Sequence, residues 1–130
     1  MQHPFAELLD MQVVAQHDSQ SHMRLSVAPQ HLNPHQVVHG AVLYALADTG
    51  MGLALYPSLS EGEICATIEI KINYFKPVHG GVVDCRTQVV NRGRSVAHLE
   101  SRLLVGDALV ATASGNYAIF KPGARGKAPA

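Results

Sequence analysis

Gly40-Ala41-Val42-Leu43-Tyr44-Ala45-Leu46-Ala47-Asp48-Thr49-Gly50-Met51-Gly52-Leu53-Ala54-Leu55 is the longest apolar run in the chain, and its reading decides the fold. It carries a single charge, Asp48, and two interior glycines, Gly50 and Gly52. Spanning a bilayer takes roughly 20 such residues, so the run reads as a buried helix rather than a membrane segment. A helix that is apolar all round must be wrapped by something else in the molecule.

The cover comes from the sequence that follows. Ala66 to Phe75, Gly81 to Val90, Val96 to Val105 and Leu109 to Phe120 are rich in Val, Ile, Thr and Tyr. They are separated by the short polar or glycine-containing connections Lys76–Gly81, Asn91–Arg94 and Gly106-Asp107, of the kind that join antiparallel neighbours. Thr67 to Tyr74 alternates most clearly, with Ile68, Ile70, Ile72 and Tyr74 expected on one face and Thr67, Glu69, Lys71 and Asn73 on the other. Before the helix, Met23 to Val27 alternates as a strand, Pro29 to His35 is a polar loop, and Phe5 to Val14 is expected to form a short helix. One strand, one buried helix and a four-strand antiparallel meander make an α+β domain whose sheet curls around the helix. The hotdog, a long central helix wrapped by an antiparallel sheet, is one of the few architectures that fit.

Length and composition agree with one domain over residues 1–120. The chain has 130 residues, 47% apolar, and at this size buries roughly two thirds of its unfolded surface without staples. The Gly/Pro-rich tail, residues 121–130, lacks large apolar side chains and is expected to be disordered. Ten basic residues against ten acidic ones argue against a nucleic-acid binder. Cys65 and Cys85 show no zinc or CxxC spacing and are expected as reduced, buried thiols, and the opening residues carry no signal-peptide pattern. A cytoplasmic location follows as the expectation.

Three places invite chemistry. A lone carboxylate on an apolar helix is costly unless it is bonded or faces a cavity, so Asp48 is either a structural hydrogen-bonder or a general base or nucleophile in a cleft. His39-Gly40 stands where the helix begins; there the first N–H groups lack intrahelical partners and suit a developing oxyanion. One such donor is worth about 2.7 to 4 kcal/mol in acyl transfer. The plainer reading is a turn glycine and a capping histidine. Arg92 and Arg94, flanking Gly93, are either solvated turn residues or a cation pair for the phosphates of a substrate such as coenzyme A.

Spacing adds a constraint. Asp48 lies eight residues beyond Gly40, about 12 Å along the axis at roughly 1.5 Å per residue, so the two cannot act on one carbonyl within one chain. If both serve one substrate, a second subunit supplies one of them and the site is shared across a two-fold interface. His31, His35 and His39 fall four apart, but Asn33-Pro34 breaks the helix that zinc ligation would need. No P-loop, GxGxxG or Gly-x-Ser-x-Gly motif occurs, and neither cysteine has a partner that would make it a nucleophile.

Asn33, His39-Gly40-Ala41, Asp48, the run Thr67 to Val78, Gly81 and Gly93-Arg94 together resemble the hotdog-fold acyl-CoA thioesterases of the PaaI-like, 4-hydroxybenzoyl-CoA thioesterase superfamily, over roughly Met23 to Phe120. The resemblance implies that the Gly40 N–H meets the thioester carbonyl and that His39 and Asn33 position the thioester or the water. It gives Asp48 of the neighbouring subunit the part of base or nucleophile, and Thr67 that of holding the water. It places Arg92 and Arg94 near the coenzyme A moiety and implies hydrolysis of an aryl- or medium-chain acyl-CoA without metal or redox cofactor. The assembly it implies is at least a dimer and more often a tetramer, with no nucleic acid or membrane partner. The acyl pocket is expected from Leu43, Tyr44, Met51 and Leu55. Where the family usually shows His-Gly-Gly, this chain has Ala41. A noncatalytic acyl-CoA or acyl-carrier binding module and a hotdog dehydratase are the alternatives on the same fold.

Overall fold

The computed structural model describes residues 3–123; the tail beyond them, expected to be disordered, lies outside the described residues. The elements run α1 (Pro4–Leu8), β1 (Met11–His17), β2 (Gln20–Ser26), α2 (Gly40–Leu55), β3 (Ile64–Tyr74), β4 (Val82–Arg92), β5 (Val96–Val105) and β6 (Ala108–Phe120). All six strands form one antiparallel sheet in the order β1-β2-β4-β5-β6-β3, curled around α2 as the sequence implied.

Helix α2 has the bounds read from its apolar run. It buries Val42, Leu43, Ala45, Leu46, Ala47, Met51, Ala54 and Leu55 against β2, β4 and the other strands, yet the wrapping is incomplete. Ala41 is exposed and Tyr44, Asp48 and Gly52 are half-buried, four positions that fall on one helical stripe. Along that stripe the chain's own sheet leaves the helix open.

Three sequence expectations change. The helix expected over Phe5–Val14 is a short one, Pro4–Leu8, and the chain turns at Asp10 with φ 59°; Met11 then starts a strand paired with β2 through a two-residue turn at Asp18-Ser19. The alternation of β1 was masked because the pairing slips between Val13 and Ala15, which leaves two adjacent valines exposed. The four C-terminal strands are not a simple meander. β3 pairs with β6, the last strand, and Lys76–Gly81 carries the chain across to β4 instead of closing a hairpin. That crossover is pinned where Val38 N–H donates to Val78 O (2.7 Å) and Val27 N–H to Gly81 O (2.9 Å).

The third change decides the site. The β3–β6 register shifts between Thr67 and Glu69, so Ile68 is an extra residue and the facing of the strand inverts there. Thr67 therefore shares the helix-facing side with Ile70, Ile72 and Tyr74, while Ile68 is left 55% exposed. Opposite this bulge, Gly115 gives α2 room: a Cβ there would lie 2.9 Å from Met51 Sδ, 3.0 Å from Ile70 Cγ1 and 3.2 Å from the Glu69 carbonyl oxygen. Gly115→Ala is expected to cost about 1 to 3 kcal/mol by overpacking. Thermal unfolding should show a fall of several degrees, and an unchanged midpoint would contradict this reading.

Candidate active site

The start of α2 leaves one donor free. His39 is the N-cap, its Nδ1 accepting from Ala41 N–H (2.9 Å), and Val42 N–H donates to His39 O (2.9 Å). Among the described residues Gly40 N–H has no partner. With Nδ1 occupied as an acceptor, neutral His39 carries its ring proton on Nε2 and can donate from there. Tyr74 closes the other side, its hydroxyl donating to Gly40 O (2.8 Å), and a Cβ on Gly40 would sit 3.0 Å from that hydroxyl oxygen. Burial and the neighbouring Tyr44 push the Tyr74 hydroxyl up, so it remains a donor at neutral pH. A cleft of about 280 Å³ opens here between Val38, Gly40, Leu43 and the Tyr74–Val78 segment.

Two turns along the helix, Asp48 is held by hydroxyls. Thr67 Oγ1 donates to Asp48 Oδ1 (2.8 Å), and Tyr117 OH is in short hydrogen-bond contact with the same oxygen and 2.8 Å from the Asp48 carbonyl oxygen. Thr67 and Tyr117 are direct cross-strand partners on β3 and β6, which brings both hydroxyls to one carboxylate. Burial first, then the Asp48 carboxylate, push the Tyr117 phenol far above its ordinary range, so it stays a donor. Asp48 Oδ2 has no partner among the described residues and is the oxygen available for chemistry.

The remaining expected residues divide. Asn33 Oδ1 accepts from His35 N–H (2.8 Å) and Val37 N–H (3.4 Å), so its carbonyl oxygen organises the loop before α2 and only Nδ2 is left to face a ligand. Arg92 is occupied inside the chain. Its guanidinium donates to Ser58 Oγ (3.2 Å), Ser58 O (2.9 Å), Gly93 O (2.8 Å) and Glu63 Oε1 (3.1 Å), tying the end of β4 to the segment after α2. Arg94 is exposed. Arg92→Gln is expected to lower the melting temperature by a few degrees and to leave KM for an acyl-CoA within about twofold, because a partnered guanidinium has few donors to spare. A raised KM with an unchanged melting temperature would return Arg92 to coenzyme A binding.

Of the residues expected to line an acyl pocket, Met51 and Leu55 are fully buried in the chain's own core, whereas Leu43 lines the cleft and Tyr44 is half-buried on the open stripe. Cys85 is buried and pushed up to about 11 by desolvation; Cys65 is pushed up by its burial and by the charge of Asp48. Neither is a thiolate at neutral pH. Among the described residues no group of three or more His, Cys, Asp or Glu is placed to hold a metal ion. No helix there is long and apolar enough to cross a membrane. Sequence reading missed Tyr117, which looks like an ordinary core aromatic until the register with Thr67 is known.

With this geometry in place, the matching sequence family is the Thioesterase superfamily, over residues 35–113. The chain belongs to that superfamily. A conserved protein of Pseudomonas aeruginosa superposes with a TM-score of 0.85 at 35% identity, covering 92% of this chain and 96% of that one. A variant of the phenylacetic acid degradation protein PaaI from Thermus thermophilus superposes at 0.84 with 28% identity, covering 89% and 98%. A relative from Archaeoglobus fulgidus, named "Putative esterase", is 32% identical over 92 residues, 70% of this chain and 58% of its own length. A Haemophilus influenzae relative of the same name is matched over 47% of its length at 37% identity. The chain thus spans about half to three fifths of these two curated relatives.

Proposed function

We propose that the protein is a thioester hydrolase that cleaves an aryl- or medium-chain acyl-CoA to the free acid and coenzyme A. The observation that carries this reading is the Asp48 carboxylate, anchored through one oxygen by Thr67 and Tyr117 and open at the other, on the same helix whose first N–H is free. In the reaction, the Gly40 N–H receives the thioester carbonyl oxygen as negative charge builds on it, and His39 Nε2–H adds a second donor or orients the water. Asp48 Oδ2 takes the proton of the attacking water, or itself adds to the carbonyl carbon to give a mixed anhydride that water then hydrolyses to the free acid and the regenerated carboxylate. The C–S bond breaks, the thiolate of coenzyme A leaves and takes a proton, and no metal or redox cofactor is called for. Arg94 is the exposed cation left to meet the coenzyme A phosphates.

The site needs two chains. Gly40 and Asp48 are about 12 Å apart along α2 at roughly 1.5 Å per residue, too far for one carbonyl. Two features support a second copy as the missing part. The stripe of Ala41, Tyr44, Asp48 and Gly52 is uncovered by the chain's own sheet, and β3 is an edge strand carrying exposed Ile64, Ile68 and Tyr74, with exposed Phe75 just beyond its end. A two-fold pairing of β3 edges would cover both and set Asp48 of one subunit opposite Gly40 of the other. The assembly is a dimer at least, with a tetramer built from two such dimers, and its location is cytoplasmic. Free-thiol release from a panel of aryl- and straight-chain acyl-CoA substrates tests the reading: release is expected from at least one, and binding without release would make the protein a noncatalytic module.

A further inference from the structure

We propose that Tyr117 is a positioning residue of the Asp48 carboxylate, fixing which of its oxygens reacts. This rests on the thioesterase reading and gives Tyr117, there only an anchor of Asp48, a measurable part in turnover. A single phenol contacts two atoms of the same residue, Asp48 Oδ1 and the Asp48 carbonyl oxygen, so it ties the side chain to its own backbone and limits its rotation. Thr67 Oγ1 meets the same Oδ1 from the neighbouring strand. With two hydroxyls on Oδ1, Oδ2 alone is left without a partner among the described residues.

The surroundings make the tie effective. Tyr117 is 3% exposed, so water does not compete for its proton. The groups facing Asp48 from β3 are the Thr67 hydroxyl and the Cys65 thiol, from β6 the Tyr117 phenol; α2 itself brings no second charge to the stripe. None of these ionises near neutral pH, since burial holds the thiol and the phenol protonated. The hydroxyl donors therefore hold Asp48 Oδ1 in one place, and removing the Tyr117 donor leaves the side chain freer to rotate.

Tyr117→Phe keeps the ring and removes the donor. Expected for it are a fall in kcat of about tenfold to a hundredfold with KM within about twofold. A purely structural phenol would lower the melting temperature and leave kcat of the folded variant at the wild-type value. Replacing Tyr117 by 4-aminophenylalanine keeps the shape and puts a weaker donor in the same place, so it should lower kcat severalfold with KM unchanged and keeps the test open should the Phe variant fail to fold. A wild-type kcat in the folded variants, with wild-type turnover intact, overturns the role of Tyr117 and leaves the thioesterase reading standing. No turnover by wild type on any acyl-CoA overturns that reading and this role with it.

Discussion

Asp48→Asn is expected to lower kcat for thioester hydrolysis by about a thousandfold, within the range by which a positioned acid–base group contributes. The fold should survive, because an Asn Oδ1 can still accept from Thr67 and Tyr117 in the pocket where those hydroxyls now meet the carboxylate. The loss then belongs to chemistry: the carboxamide can neither take a proton from water nor add to a carbonyl carbon. KM is expected to stay within about threefold, since the carboxylate contributes little to ground-state binding. Thiol release by the purified variant, with a melting curve in parallel, checks this. Hydrolysis at the wild-type rate would reduce Asp48 to a hydrogen-bonding strut between α2 and the sheet.

Gly40→Ala should be nearly as damaging, by a different route. The new methyl would sit 3.0 Å from the Tyr74 hydroxyl oxygen and 3.1 Å from its Cζ, so either the ring or the first turn of α2 must move. Movement of that turn re-aims the free N–H at the helix start, and loss of one aimed oxyanion donor costs about a hundredfold to a thousandfold in kcat. Ala41→Gly is the control. Ala41 is exposed, its N–H is held by His39 Nδ1, and restoring the more usual His-Gly-Gly should leave kcat within about threefold while costing up to about 1 kcal/mol of helix propensity. Gly40→Ala turning over like wild type would show that the carbonyl is received elsewhere.

The central helix was legible because sixteen consecutive positions hold a single charge, and Asp48 stands out as a candidate for the same reason, as the one charge in that run. What the sequence could not show is what depends on register. The alternation of Thr67 to Tyr74 is plain, but one extra residue at Ile68 inverts its facing and turns Thr67 toward the helix. Tyr117 reaches Asp48 across 69 positions of sequence, a pairing that follows only from β6 lying beside β3. The crossover at Lys76–Gly81 has the same Pro and Gly chemistry as a hairpin, so local residues do not reveal that β4 sits elsewhere in the sheet. Arg92 read as a free turn cation because Ser58 and Glu63, which occupy it, lie far back in the chain.

The proposal that the site is shared between two subunits is open to a direct measurement. Asp48→Asn subunits carry an intact Gly40 and Gly40→Ala subunits an intact Asp48, so a mixed dimer holds one complete site and one doubly damaged one. Unfolding and refolding the two variants together in equal amounts should restore thiol release to about a quarter of the wild-type rate, half of the dimers being mixed with one of two sites working. A mixture no more active than the better of its parents would contradict a site built from Gly40 of one subunit and Asp48 of the other.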